Sequence, residues 1–403
     1  MQKDTFSFAR DCYIMAKPAS AKCNLACHYC YYSEKANLYR DSAAKEMSEE
    51  LLEEFVRQYI RMQTTDHVLF TWHGGEPLLR PLAFYKKAQA LQRKYACGKH
   101  IDNCLQTNGT LLTPEWCKFL HNNRWLVGVS IDGPEDMHNH FRTNYHGIGS
   151  YNKVMDGIRM LQYYNVEWNA MATVNSFNVK QPLAFYRFFK RINSPFIQFT
   201  PIVERTAFYE DGRHLSDPDE NNSPVESFSV TPDEWGDFCC AIFDEWVRHD
   251  VGKIFVQLFD ATLANWVGLT PGVCSLAEEC GHAGIIEANG DVYSCDHFVF
   301  PDYKLGNIRK DNLIGLMYGL QQNQFSARKK LMLPNQCKQC RWLFACHGEC
   351  PRNRFCKSED GERGLNYLCK GYKKFFSHVA PYMDTMASLY QQGLPPADIM
   401  HML

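Results

Sequence analysis

Residues 23–32 run Cys23-Asn24-Leu25-Ala26-Cys27-His28-Tyr29-Cys30-Tyr31-Tyr32, which sets three thiols in the spacing C-x3-C-x2-C. Three thiolates can hold three irons of a [4Fe-4S] cluster and leave the fourth iron without a protein ligand, open to a chelating small molecule. On spacing alone two other readings stand: a zinc site completed by His28, and unrelated core cysteines. The triplet lies in the loop just after a β-rich run, Cys12 to Met15.

Outward from that loop, five further β-rich runs recur: Val68 to Trp72, Ile101 to Gln106, Leu126 to Ile131, Glu167 to Val174 and Phe196 to Ile202. Helix-like segments separate them, an alternation that points to parallel βα units. Ser48 before Glu49 and Glu50, Thr113 before Pro114 and Glu115, and Thr231 before Pro232, Asp233 and Glu234 read as helix caps followed by acids at the positive helix end. In the first helix Leu51, Leu52, Phe55, Val56, Tyr59 and Ile60 share one face, enough to cover a sheet. The expected architecture is α/β: an open, partial (β/α) barrel of six units. Residues from about Tyr209 to Ser229, rich in Asp, Asn, Ser, Pro and Glu, are expected to form a long surface loop.

The composition narrows the function class. In 403 residues, 43 basic against 45 acidic side chains leave a formal charge of −2, without the basic excess that binding nucleic acid demands. Met1 to Arg10 has no apolar signal-type core, and no stretch approaches membrane-spanning length. A cytoplasmic protein without nucleic-acid or membrane partners is expected, and the absence of an exposed heptad suggests a monomer. Against this ordinary background stand 18 cysteines. In a reducing compartment so many thiols imply ligand sites rather than disulfides.

Eight of them lie toward the C-terminus: Cys274, Cys280, Cys295, Cys337, Cys340, Cys346, Cys350 and Cys369. Eight thiols make two complete four-cysteine sites, which zinc or iron-sulfur clusters could fill. For Cys12, Cys97, Cys104, Cys117, Cys239, Cys240 and Cys356, burial as small apolar side chains is the simpler expectation.

The triplet loop resembles that of radical S-adenosylmethionine (SAM) enzymes, with Tyr29 in the place of the aromatic residue near the adenine. Trp72-His73-Gly74-Gly75-Glu76-Pro77 resembles the same superfamily's GGEP motif, where glycine lets backbone approach the methionine amino group. The C-terminal thiols resemble the SPASM domain. That resemblance implies that Cys274, Cys280, Cys295 and Cys350 hold an inner auxiliary cluster and that Cys337, Cys340, Cys346 and Cys369 hold an outer one. It also implies a division into a radical SAM partial barrel over 1–230, a connecting helical segment over 231–273, and a small, irregular, cysteine-rich SPASM domain over 274–403.

Within this group the chain is most similar to anaerobic sulfatase-maturating enzymes, through Lys17-Pro18, Leu105 to Thr110, Val129 to Pro134 and Asn289 to Asp296. The resemblance implies oxidation of a cysteine or serine in a sulfatase's Cys/Ser-x-Pro-x-Arg motif to Cα-formylglycine. The implied cofactors are three [4Fe-4S] clusters and SAM. The implied partners are an unfolded or nascent sulfatase and a flavodoxin or ferredoxin electron donor. Tyr29, Gly75, Ser130, Arg142 and Val203 would position SAM, Arg142 through the methionine carboxylate, and Asp296 would act as the base. Asp132 suits a turn as well as a ligand site, His73 could orient the Gly74-Gly75 loop, and Gln106, Asn108, Tyr31 and Tyr32 could face SAM or peptide. The alternative implied by the same motifs is a SPASM enzyme that forms thioether or other crosslinks in peptides; a zinc-binding scaffold is the non-catalytic alternative.

Overall fold

The structure, a computed structural model, describes residues 12–33, 35, 46–209, 212–215 and 224–403. All six β-rich runs form strands: β1 (Cys12–Lys17), β2 (His67–Trp72), β3 (His100–Thr107), β4 (Leu126–Ser130), β5 (Trp168–Val174) and β6 (Phe196–Pro201). They pair in parallel in chain order. Between them run α1 (Glu49–Met62), α2 (Leu82–Tyr95), α3 (Pro114–Asn122), α4 (Glu135–Phe141), α5 (Tyr151–Tyr163) and α6 (Pro182–Arg191). The expected caps are in place. Ser48 accepts from the Leu51 amide and Thr113 from that of Trp116, while Thr231 and Glu234 form a reciprocal capping box.

The six apolar residues of α1 are all buried, with Phe55 packed against Tyr59, Phe70 and Trp72. Each contributes about 1.5–3 kcal/mol by leaving water. They cover one face of the sheet, and parallel strands so covered keep their C-terminal ends free to carry a site.

Two features depart from the sequence-based reading. The stretch expected as a loop from Tyr209 begins instead in a hairpin, β7 (Thr206–Tyr209) with β8 (Gly212–Leu215), its polar composition concealing short edge strands; residues 210–211 and 216–223 of it lie outside the described residues. Beyond it α7 (Pro232–His249) leads to β9 (Phe255–Val256), which pairs in parallel with β6, and to α8 (Gln257–Trp266).

The second departure concerns the cysteine-rich region, which carries β10 (His282–Glu287), β11 (Asp291–Tyr293) and β12 (Lys304–Asn307). β10 lies parallel to β1 over six residues, from Cys12 opposite His282 to Lys17 opposite Glu287. The described strands thus form one open, mostly parallel sheet in the order β12-β11-β10-β1-β2-β3-β4-β5-β6-β9. Its two ends do not meet, so the barrel is partial. Short helices follow at α9 (Leu313–Met317), α10 (Leu320–Leu331), α11 (Asn335–Lys338) and α12 (Leu343–Cys346), then the long α13 (Cys369–Gln391).

α13 crosses α7 at Gly371, where a Cβ would lie 2.2 Å from the Pro232 carbonyl oxygen; only glycine lets the two backbones approach so closely. No helix among the described residues is long and apolar enough to cross a membrane. Because Phe55 is fully buried, Phe55→Ala is expected to cost about 3–5 kcal/mol, seen as a lower unfolding midpoint in anaerobic denaturant titration.

Candidate functional site

The triplet loop is clamped from both sides before any ligand is considered. The Asn108 side-chain amide reaches Cys23 Sγ at 3.7 Å and Asn24 Oδ1 at 2.9 Å, and Asn24 donates to Thr110 Oγ1 at 2.9 Å. The amide of Leu25 points at Cys23 Sγ from 3.4 Å, and N–H donors at sulfur are one means by which a protein tunes a cluster. Gly75 is needed for contact with this loop: a Cβ there would lie 2.3 Å from the Lys22 carbonyl oxygen. Glu76 is fully buried and accepts from the Asn108 amide at 2.8 Å, Thr107 Oγ1 at 2.7 Å and the Leu78 amide at 2.9 Å. It buckles β2 to β3 beneath the triplet, and burial pushes its carboxyl up to about 7.

Arg142 and Asp132 form a buried fork, with Nε to Oδ2 at 2.8 Å and Nη2 to Oδ1 at 3.1 Å. Tyr29 donates its hydroxyl to the same carboxylate, which also accepts from the Thr173 amide at 2.9 Å. Asp132 is therefore an anchor rather than merely a turn residue, and any carboxylate ligand would share the Arg142 guanidinium with it. Ser130, at the end of β4, accepts from Gln106 Nε2 at 3.0 Å. Val203 is buried just beyond β6. Tyr29 packs with Phe141, Ile202 and Phe228 into a small apolar wall beside Cys27. His28 stacks on Phe141, so its ring serves packing rather than completing a zinc site.

The charged centre lies where β1 meets the cysteine-rich region. Lys17 has no exposed side-chain surface and donates to Asp296, which is 16% exposed. Tyr31 donates its hydroxyl to the other oxygen of Asp296. Burial alone would raise the Asp296 pKa, but the Lys17 ammonium overrides it and holds the carboxyl well below the usual carboxylate range. Beneath lies Glu287, accepting from Ser20 Oγ at 2.8 Å and from Tyr32; burial pushes its carboxyl up to about 7 against the pull of Lys17. His73 accepts from the Gly74 amide at 2.7 Å, and burial followed by Lys17 lowers its pKa to about 4.

Three residues that the sequence reading did not single out, Arg352, Glu204 and His297, complete this centre. Arg352 forks between Glu204 and His297, reaching His297 Nδ1 at 2.7 Å, and its guanidinium lies 4.8 Å from the centre of the Tyr31 ring. As Nδ1 accepts, the His297 proton belongs on Nε2, and burial, then Arg352, lowers the imidazole pKa to about 3. Nothing in the spacing of Glu204 and Arg352 marks them. Their only sequence signal is that one follows the end of β6 by three residues and the other follows Cys350 by two.

No cysteine is in a disulfide. By which thiols lie close enough to raise one another's pKa, the eight C-terminal cysteines divide into two sets. Cys274, Cys280, Cys295 and Cys350 form one, and Cys337, Cys340, Cys346 and Cys369 the other, with Cys356 also near Cys369. The second set lines a single pocket. In neither set do three sulfurs gather within 4.8 Å, whereas tetrahedral zinc would draw them to about 3.8 Å. Four thiols in each set match the ligand count of a [4Fe-4S] cluster. Burial pushes Cys23 up to about 11 and Cys27 to about 12, so these thiols stay protonated until metal displaces the proton.

Between the two sets the chain reverses through His347, Gly348 and Glu349, with φ of 47°, 71° and 54°. Two left-handed non-glycine residues cost about 1–3 kcal/mol each. Arg354 stabilises the reversal, donating to the carbonyls of His347 at 2.7 Å, Gly348 at 2.8 Å and Glu349 at 3.0 Å. Of the seven remaining cysteines, Cys12, Cys117, Cys239 and Cys240 are buried and Cys104 and Cys356 partly so; Cys97 is exposed, contrary to expectation, on a left-handed turn residue (φ 49°) that ends α2 at the surface.

The model of the radical SAM superfamily matches residues 18–189, and that of the SPASM iron-sulfur cluster-binding domain matches residues 279–341. A serine-type anaerobic sulfatase-maturating enzyme of Bacteroides thetaiotaomicron is 58% identical, over 100% of this chain and 98% of its own. A cysteine-type enzyme of Clostridium perfringens is 31% identical, over 93% of this chain and 98% of its own. The solved structure of native anSMEcpe with bound AdoMet and the Kp18Cys peptide superposes with a TM-score of 0.81 at 31% identity, over 93% of this chain and 99% of that one.

Since Arg354 braces both thiol sets, Arg354→Leu is expected to lower reconstituted iron from about 12 to about 4 per chain, with the triplet's cluster retained. Parallel iron and sulfide analysis of the wild type and the variant checks this.

Proposed function

This chain belongs to the anaerobic sulfatase-maturating enzymes of the radical SAM superfamily, and we propose from that premise that it oxidises a cysteine or serine of a sulfatase to Cα-formylglycine. The substrate is an unfolded or nascent polypeptide carrying Cys/Ser-x-Pro-x-Arg. The 58% identity to a serine-type relative favours serine. Flavodoxin or ferredoxin supplies electrons, and the enzyme works as a monomer in the cytoplasm.

SAM and a [4Fe-4S] cluster, once bound, would supply radical hydrogen-abstraction chemistry directed at the target Cβ. Cys23, Cys27 and Cys30 hold the iron. Tyr29 and Val203 would wall the adenosine, and Gly75 would offer backbone to the methionine amino group. Ser130, oriented by Gln106, would donate to the ribose or carboxylate. Asp132 locks Arg142 rigidly, so this guanidinium meets the methionine carboxylate without searching for a rotamer.

Asp296 carries the reading. A thiol or hydroxyl on a carbon-radical centre is far more acidic than its closed-shell parent, so the base must above all be ionised, placed and partly open to substrate. Lys17 keeps Asp296 ionised, Tyr31 and Lys17 fix its two oxygens, and 16% of its surface remains open. The neighbouring Cys295 belongs to the inner thiol set, so the residue that takes the proton adjoins the position of an electron-accepting cluster.

Asp296→Asn is expected to keep its iron and SAM cleavage while formylglycine formation falls at least about 100-fold, as read by product mass on paired Cys and Ser peptides. Full product formation would remove Asp296 from this role. Cys23→Ala is expected to abolish SAM cleavage itself, with the spectroscopic signals of both C-terminal clusters still present.

A further inference from the structure

At the opposite end of the sheet from the thiols, β2 and β3 begin with His67 and His100 directly opposite one another. In a parallel pair such residues point to the same side, and Asp102, two residues along β3, shares that face with His100. The two imidazole centroids are 5.1 Å apart, and His100 Nε2 lies 3.0 Å from Asp102 Oδ1. One ligand atom from each of the three residues falls within 4.8 Å of the others, the only such grouping among the described residues. All three side chains are exposed.

The backbone that carries them is well fixed. The ladder between β2 and β3 holds both histidines in register, and the His100 amide donates to the Asp66 carbonyl at 2.7 Å. The adjacent cation, Lys99, is engaged by the carbonyls of Gln63 at 3.1 Å and Thr65 at 2.7 Å.

We propose that His67, His100 and Asp102 form a surface site for one divalent transition-metal ion, with water in the remaining coordination positions. Two imidazoles and a carboxylate are borderline-to-hard donors suited to Zn²⁺, Ni²⁺, Co²⁺ or Fe²⁺ and unlike the soft thiolate sets. Closing the site around an ion costs side-chain rotamer freedom but no burial of charge, because all three groups stay in contact with water. The ion takes the place of the hydrogen bond between His100 Nε2 and Asp102 Oδ1. During reconstitution with iron, this site would take one mononuclear Fe²⁺ in addition to the clusters, giving iron in excess over sulfide.

The test is anaerobic calorimetric titration of the cluster-loaded enzyme with Ni²⁺, with the visible absorbance of the clusters recorded throughout. The wild type is expected to bind one equivalent saturably with cluster absorbance unchanged. His67→Ala and His100→Ala are each expected to weaken binding about tenfold or more, and Asp102→Asn to weaken it less. Binding by both histidine variants equal to that of the wild type, or no saturable binding by the wild type, would overturn the proposal. Loss of cluster absorbance without a saturable phase would overturn it as well, by showing that the thiols are the only sites with affinity.

Discussion

A lysine ammonium without any contact with water has to be paired, and in this protein the pairing joins two distant parts of the chain. Lys17 ends β1, Asp296 follows β11 in the cysteine-rich region, and the β1–β10 ladder brings them together. An unpaired buried ammonium would cost several kcal/mol, so the charge does not tolerate a slipped ladder. Lys17 opposite Glu287 fixes the register. With that register set, Asp296 and Cys295 stand at the same end of the sheet as the triplet that follows β1. The ion pair keeps a carboxylate ionised in a place where burial alone would raise its pKa.

Around that pair the molecule keeps its thiols in separate, rigid compartments. The triplet lies on a loop clamped by Asn24, Asn108 and Glu76, while the two C-terminal sets are separated by a left-handed reversal that Arg354 braces. Arg352 and Glu204 form a second buried ion pair between the same two regions. The site is thus assembled at a junction and depends on both sides of it. Preorganisation of this kind positions charge before substrate arrives, where it contributes most.

Much of this was legible in residue pattern. The six strands, the caps at Ser48, Thr113 and Thr231, and the buried face of α1 follow from local periodicity and hydrogen-bonding chemistry, which act over a few residues. The division of eight thiols into two sets followed from family resemblance rather than from spacing. Harder to read were interactions formed across long stretches of chain. β10 carries almost no polar alternation because it is buried beside β1 some 270 residues away in sequence. Lys17 drew notice only as part of a motif, and Arg352, Glu204 and His297 gave no signal, since each acquires its role from a neighbour that only the tertiary fold supplies. The hairpin after β6 was hidden by its polar composition. Asp132, whose sequence context suits a turn as well as a ligand site, is a buried anchor for Arg142.

The role of the Lys17–Asp296 pair is tested most directly by the ratio of formylglycine formed to 5′-deoxyadenosine released in Lys17→Met, compared with the wild type at equal iron content. If Lys17 keeps the base ionised, the variant still cleaves SAM but its ratio falls at least about tenfold. A ratio equal to that of the wild type would contradict this assignment and leave the pair as a structural tie alone.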